Sequence, residues 1–193
     1  MIAGVPAGAV LSAGVNNGDG TWILSPADLP FLTLTPPPDF AGTINLTVTA
    51  AALENGQAAS VTASLGVSVT GVADAPILGV NASAGNEDTA IALGINAATV
   101  GAGESLSIVI SGVPAGGSLS AGINNGDGTW TLTPAQLTGL TFTPPLHASG
   151  IFNLTVTATA SENGTSASTS QTLNIDVSGV ATAPTPVSYT HLR

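Results

Sequence analysis

Carboxylates carry almost all of the ionisable chemistry available to this chain. Its 193 residues include 11 Asp and Glu, 2 His, no Cys and a single basic residue, Arg193. Thiolate nucleophiles, disulfides and thiolate metal sites are excluded by the missing cysteine. A phosphate loop ending in Lys is excluded by the missing lysine. A Ser-His-Asp constellation would rest on His147, whose place after Pro144-Pro145 marks an exposed loop. Paired carboxylates for glycoside hydrolysis remain arithmetically available, but the acids cluster at turns and linkers, so no enzyme activity is expected. Ca2+ fits the residue set better, because it takes about six to eight oxygens from carboxylates and carbonyls and needs neither imidazole nor thiolate. Its role here would be structural.

The elements that must hold such oxygens come from an unusual composition. Charged residues are 6% of the chain and hydrophobic residues 44%, with 24 Gly and a net charge of −10. Nucleic acid is excluded as a partner, because phosphate binding needs Lys and Arg to displace counterions. Anionic membrane surfaces are disfavoured on the same ground, and no run of about 18 apolar residues is present to cross a bilayer. Disorder is disfavoured by the apolar content. The acidity keeps a repetitive chain soluble and apart from its own copies.

A tandem duplication organises the sequence. Gly4-Val5-Pro6-Ala7-Gly8 recurs at Gly112–Gly116, and Asn16-Asn17-Gly18-Asp19-Gly20-Thr21-Trp22 at Asn124–Trp130. Asn45–Ala50 recurs at Asn153–Ala158, and Glu54-Asn55-Gly56 at Glu162–Gly164. The offset is 108 throughout, and about 45 of 73 positions are identical between Gly4–Pro76 and Gly112–Pro184. A period this long suits separate beads, each with its own core, better than a solenoid. Residues 77–184 read as a complete repeat, and residues 1–76 as a truncated copy lacking its first strands. Met1 aligns with Val109 in mid-strand and is expected to be an internal start. No basic segment followed by an apolar one opens the sequence as a targeting signal. Val187–Arg193 (VSYTHLR) matches the translation of a sequencing-library adapter and is expected to be an artefact; without it the chain has no Lys or Arg.

Within a repeat, apolar residues alternate with period two, the mark of half-buried strands. Phe152, Leu154 and Val156 alternate with Asn153, Thr155 and Thr157; Leu173, Ile175 and Val177 alternate with Asn174, Asp176 and Ser178. The abundance of Gly, Pro, Thr and Val disfavours helix. Asn124–Gly128 and Glu162-Asn163-Gly164 read as hairpin turns, and Pro144-Pro145 ends a strand. Strands are expected at Ile77–Val80, Ala90–Ile95, Ser105–Ser111, Ser118–Ala121, Thr129–Thr133, Leu140–Thr143, Ile151–Ala160 and Ser168–Val177. Short strands at this spacing predict an all-β fold of tandem antiparallel β-sandwich modules. Trp130 is expected to anchor the core or cap one end. Residues 1–76 are expected to carry an open sheet edge and exposed apolar surface, and not to fold in isolation.

The series Gly112–Gly116, Leu119–Gly122, Asn124–Trp130, Leu132–Leu137, Asn153–Thr159 and Ser178–Ala181, together with Gly85-Asn86-Glu87-Asp88-Thr89-Ala90-Ile91, resembles the cadherin-like, immunoglobulin-like modules of giant bacterial RTX-type adhesins exported by type I secretion. The resemblance spans residues 2–186. It implies an extracellular or cell-surface extender, holding a binding tip away from the cell, with Ca2+ stiffening the junctions between modules. It further implies that Asp74 in the linker, Glu87 and Asp88 in the early acidic motif, and Glu104 form one metal site. Where such relatives carry an Asp-x-Asp-Gly loop, this chain has Val100-Gly101-Ala102-Gly103, so two carboxylates are lost. The competing reading of Glu87-Asp88 is a solvated turn in which Asp88 or Thr89 satisfies backbone groups. Asp19 and Asp127 read as turn residues, while Glu54 and Glu162 stay open between turn and ligand.

The resemblance makes neighbouring repeats of the same chain the immediate partners, with a host or neighbouring-cell surface reached through other domains. The rival is a carbohydrate- or cell-surface-binding β-sandwich module. Trp22 and Trp130 stand in both copies and aromatics are only 4%, which disfavours a dedicated sugar platform; an exposed Trp130 beside Asn124 and Asp127 would restore it.

Overall fold

Alternating apolar and Thr/Ser positions, interrupted by residues that accept positive φ, give strands and tight turns almost throughout. The computed structural model describes residues 1–181; the expectation for Val187–Arg193 lies outside them. The protein is all-β and divides into two compact units. Unit 1 comprises Met1–Ala75, Thr99–Ser105 and Ala160–Ala167; unit 2 begins with Pro76–Ala98 and Leu106–Thr159 and continues from Ser168. The units divide between Ala75 and Pro76, and two short segments of the later repeat group with unit 1.

Unit 1 contains β1 (Ile2–Ala3), β2 (Val10–Leu11), β3 (Val15–Asn16), β4 (Trp22–Ile23), β5 (Leu34–Thr35), β6 (Gly42–Glu54) and β7 (Gln57–Val69). One sheet runs β3-β4-β1-β6-β7, and β2 pairs with β5 in a two-stranded layer. The core holds Ile2, Val5, Leu11, Trp22, Ile44 and Leu46.

The later repeat supplies β8 (Ile77–Asn81), β9 (Ser83–Asn86), β10 (Ile91–Ala92), β11 (Gly94–Ala98), β12 (Ser105–Ser111), β13 (Ser118–Leu119), β14 (Ile123–Asn124), β15 (Trp130–Leu132), β16 (Thr141–Thr143), β17 (Gly150–Glu162) and β18 (Thr165–Ser178). The main sheet runs β14-β15-β12-β17-β18-β9, with β9 parallel to β18 and the other pairs described antiparallel. Strands β10-β16-β13 and the pair β11-β8 form the opposing layer. Leu154, Val156, Ala158, Leu173, Ile175 and Phe142 are fully buried between the layers, as the alternation requires. Trp130 is partly buried and packs against this core.

β9 and β14 lie outside the expected strands, one expected strand is divided, and a 3₁₀ turn follows β15. Ala90–Ile95 is not one strand: β10 pairs with β16 and β11 with β8, and between them the Leu93 N–H donates to the Leu140 carbonyl. Pro134–Leu137 forms a 3₁₀ turn, capped by Thr133 with Gln136 reaching back to the Thr133 N–H at 2.9 Å.

The hairpin glycines are sterically required. Gly14 and Gly122 have φ of 94° and 96°, and a Cβ on either meets a backbone carbonyl below 3.0 Å, Ile23 O or Thr131 O. Gly122→Ala is expected to lower unit 2 stability by about 1–2 kcal/mol or more, read as a fall in the urea midpoint with unchanged m.

Candidate functional site

The linker Gly71–Pro76 lies outside any strand, so its backbone groups must find side-chain partners. Within unit 1 they do. The Ala73 N–H donates to Thr165 Oγ1 at 2.8 Å and the Asp74 N–H to Glu104 Oε1 at 2.5 Å. Asn163 Nδ2 donates to the Gly71 carbonyl at 3.4 Å. The second oxygen of Glu104 accepts from the Val100 and Gly101 N–H groups, at 3.2 and 3.0 Å. Glu104 thus pins both the linker and the turn at Val100–Gly103.

Three further carboxylates converge beside it. A cavity of about 260 Å³ is lined by Asp39, Phe40, Thr70, Asp74, Gly101 and Glu162, all in unit 1. The Glu162 carboxylate lies against Gly71, where a Cβ would overlap it, and 3.3 Å from a Cβ placed on Gly103. Desolvation raises the Asp74 carboxyl above the ordinary Asp value, helped by the charges of Asp39 and Glu104 and by a carboxyl–carboxyl hydrogen bond with Asp39. Like charges held this close favour an added proton or cation.

The four residues of the expected ligand set divide between the two units. Asp74 and Glu104 meet; Glu87 and Asp88 belong to unit 2. There the Glu87 N–H donates to the Ser178 carbonyl at 2.9 Å, and Glu87 Oε1 accepts from the Val180 N–H at 2.8 Å. Asp88 Oδ1 accepts from the His147 N–H at 2.8 Å, with Oδ2 3.1 Å from His147 Nδ1. Thr89 Oγ1 donates to the Asn86 carbonyl at 2.7 Å. The reason is topological: β9 runs parallel to β18, so Glu87 and Asp88 emerge beside Ser178. Within unit 1, Asp39 and Glu162 stand beside Asp74. One signal for Asp39 was present in the sequence, since the position 108 residues on is His147.

The donor chemistry fits Ca2+, which prefers carboxylate and carbonyl oxygen. Among the described residues, no three Asp, Glu, His or Cys side chains stand in metal-ligand geometry.

Asp19 and Asp127 are turn residues. Each accepts from a Thr two positions on: Thr21 N–H at 3.0 Å and Oγ1 at 2.5 Å, Thr129 N–H at 3.0 Å and Oγ1 at 2.6 Å. The side-chain bond is the larger cause holding both carboxyls below the ordinary Asp value. These groups bind fewer protons when folded, so their contribution is present at neutral pH and lost as pH falls through the folded pKa. Asp74 has the opposite sign: its contribution is lost as pH rises from the ordinary Asp value through its raised one. Carboxyl NMR titration is expected to order Asp74 above Asp19 and Asp127.

Trp130 is partly exposed and lines a second cleft of about 380 Å³, in unit 2, with Pro114, Asn124, Asp127 and Gly128. Asn124 Oδ1 is already committed to the Gly126 N–H at 2.9 Å, and Asp127 Oδ1 to Thr129. Among the described residues, no helix is long and apolar enough to cross a membrane.

No protein-family model matches the chain, and no curated protein matches it. Among solved structures it is similar to an endo-fucoidan hydrolase from glycoside hydrolase family 107, at 18% identity with a TM-score of 0.29. The alignment covers 94% of this chain and 24% of that enzyme, so the chain spans about a quarter of its length. A likeness this distant carries no argument about fold or activity.

Proposed function

We propose that this chain is a pair of structural extender repeats of a secreted or surface-anchored bacterial adhesin of the RTX type, acting outside the cell, with Ca2+ held at the linker by Asp39, Asp74 and Glu162 while Glu104 positions it. The observation that carries this reading is the carboxylate cluster around the linker: groups that repel one another, gathered where successive repeats are joined. A spacer needs that joint stiff, and a divalent cation bound there would convert repulsion into a crosslink. No catalytic role is assigned, because His147 is exposed and paired to Asp88.

The rival, a carbohydrate- or cell-surface-binding module, draws support from the partly exposed Trp130 and its cleft.

The test places one, two or four copies of the whole chain, each with Asp39, Asp74 and Glu162, between a cell anchor and a reporter tip that binds a defined bead. Capture at fixed shear is expected to rise with copy number, while tipless arrays bind neither glycans nor cells. Glycan binding by a tipless array that Trp130→Ala abolishes would establish the rival instead.

A further inference from the structure

Four Asn-Gly pairs occur in the chain: Asn17-Gly18, Asn55-Gly56, Asn125-Gly126 and Asn163-Gly164. All of these residues are exposed, and a Cβ placed on any of the four glycines meets nothing within 4 Å. Water access and crowding therefore do not distinguish the pairs. Hydrogen bonding does.

At Asn125-Gly126 both reactive groups are engaged. Asn125 Nδ2 donates to Thr129 Oγ1 at 2.9 Å and to Thr131 Oγ1 at 3.1 Å, and the Gly126 N–H donates to Asn124 Oδ1 at 2.9 Å. Asn17-Gly18 repeats the arrangement: Asn17 Nδ2 donates to Thr21 Oγ1 and the Gly18 N–H to Asn16 Oδ1, both at 2.8 Å. The other two pairs are the two-residue loops between β6 and β7 and between β17 and β18. Their φ values, 48° and 79° at Asn55-Gly56 and 46° and 81° at Asn163-Gly164, are those of a type I′ turn. The bond of such a turn joins the flanking residues, so the central glycine N–H lies outside it.

The tip between β17 and β18 also fastens the linker. Asn163 Nδ2 donates to the Gly71 carbonyl at 3.4 Å, and Thr165 Oγ1 accepts from the Ala73 N–H at 2.8 Å. These residues all belong to unit 1.

We propose that Asn163-Gly164 is a self-modification site whose conversion unfastens the linker. When the tip frays, the Gly164 nitrogen attacks Asn163 Cγ. The N–Cγ bond forms, the Cγ–Nδ2 bond breaks, and ammonia leaves with the Gly164 amide proton. Water then opens the cyclic imide, leaving Asp or iso-Asp in place of Asn163. An ionised carboxylate only accepts hydrogen bonds, so it repels the Gly71 carbonyl that the amide held. The iso-Asp product also lengthens the backbone by a methylene, which shifts Thr165 away from Ala73. The site is independent of any cation at the linker.

The test incubates the full chain in mildly alkaline buffer and follows it by mass spectrometry. Cleavage after Glu54, Glu87, Glu104 and Glu162 puts the four pairs in separate peptides, 1–54, 55–87, 105–162 and 163–193. In the folded chain, amide-to-acid conversion at Asn163 is expected to run at least about tenfold faster than at Asn125, where two kinds of hydrogen bond must break first. Asn55 is expected to convert with Asn163, and Asn17 to persist with Asn125. In denaturing urea the four rates are expected to converge, because the dipeptide is the same. Conversion at Asn163 no faster than at Asn125 in the folded chain would overturn the proposal. So would a spread of rates that survives in urea, which would assign it to neighbouring sequence. Asn163→Asp reads the consequence separately, because Asp-Gly also suits a type I′ turn. Amide hydrogen exchange at Ala73 is expected to rise at least about threefold in that variant, with exchange at Ile175 unchanged. Unchanged exchange at Ala73 would overturn the unfastening.

Discussion

Leu173→Ala is expected to cost unit 2 about 3–5 kcal/mol, whereas Leu65→Ala, the same residue in the same repeat position, is expected to change stability by no more than about 0.5 kcal/mol. Leu173 is fully buried and Leu65 is 49% exposed. Truncating the first removes apolar contact and leaves a cavity that neighbouring strands cannot fill; truncating the second returns to water a side chain that is already half in it. Urea unfolding followed by circular dichroism reads the difference, and a loss of 3 kcal/mol lowers the melting temperature of a unit this size by roughly 10 °C or more. Equal costs at the two positions would mean that the β7 face is covered in solution. The pair thus measures how much of the later repeat's stability comes from β8–β11.

Saturating Ca2+ is expected to stabilise unit 1 by about 2.7 kcal/mol at a hundred times its Kd, and EDTA to remove that gain. The thermal shift is several degrees, and Asp74→Asn is expected to erase it. The same variant has a second expected effect with the opposite sign. In EDTA it should be at least as stable as the parent, because it removes a charge that Asp39 and Glu104 oppose. Glu87→Gln and Asp88→Asn, in unit 2, are expected to leave the calcium response intact. A calcium shift that survives Asp74→Asn but disappears with Asp88→Asn would place the ion in unit 2 and refute the linker site.

The strands were legible because period-two alternation reports which side chains face a core; Leu154, Val156, Leu173 and Ile175 were assigned inward and are fully buried. The turns were legible because Asn-Gly and Asp-Gly sequences are local chemistry, and Asp127 caps its own hairpin through Thr129. Pairing partners were not legible. Alternation cannot say that Ser83–Asn86 leaves β8 to join β18 in parallel, and that single pairing sets Glu87 beside Ser178. The break at Leu93 was hidden for the same reason, since its cause is a carbonyl 47 residues away at Leu140. The convergence of Asp39 and Glu162 on Asp74 depends on loops far apart in sequence. A comparison of the two copies position by position could have raised Asp39, but not Glu162, which repeats unchanged as Glu54.

The parallel pairing of β9 with β18 also decides how the later repeat bears load. The repeat enters through β8, which leads directly into β9, and leaves after β18, and four residue pairs, Ser83–Asn86 with Ile175–Ser178, lie alongside one another in parallel register. Tension applied at the two ends draws parallel neighbours past each other lengthwise. Their bonds must then yield together in shear, whereas an antiparallel pair pulled from one end opens bond by bond like a zipper. Resistance to pulling is a rate set by the barrier to unfolding, and shear raises that barrier without adding a single contact at rest.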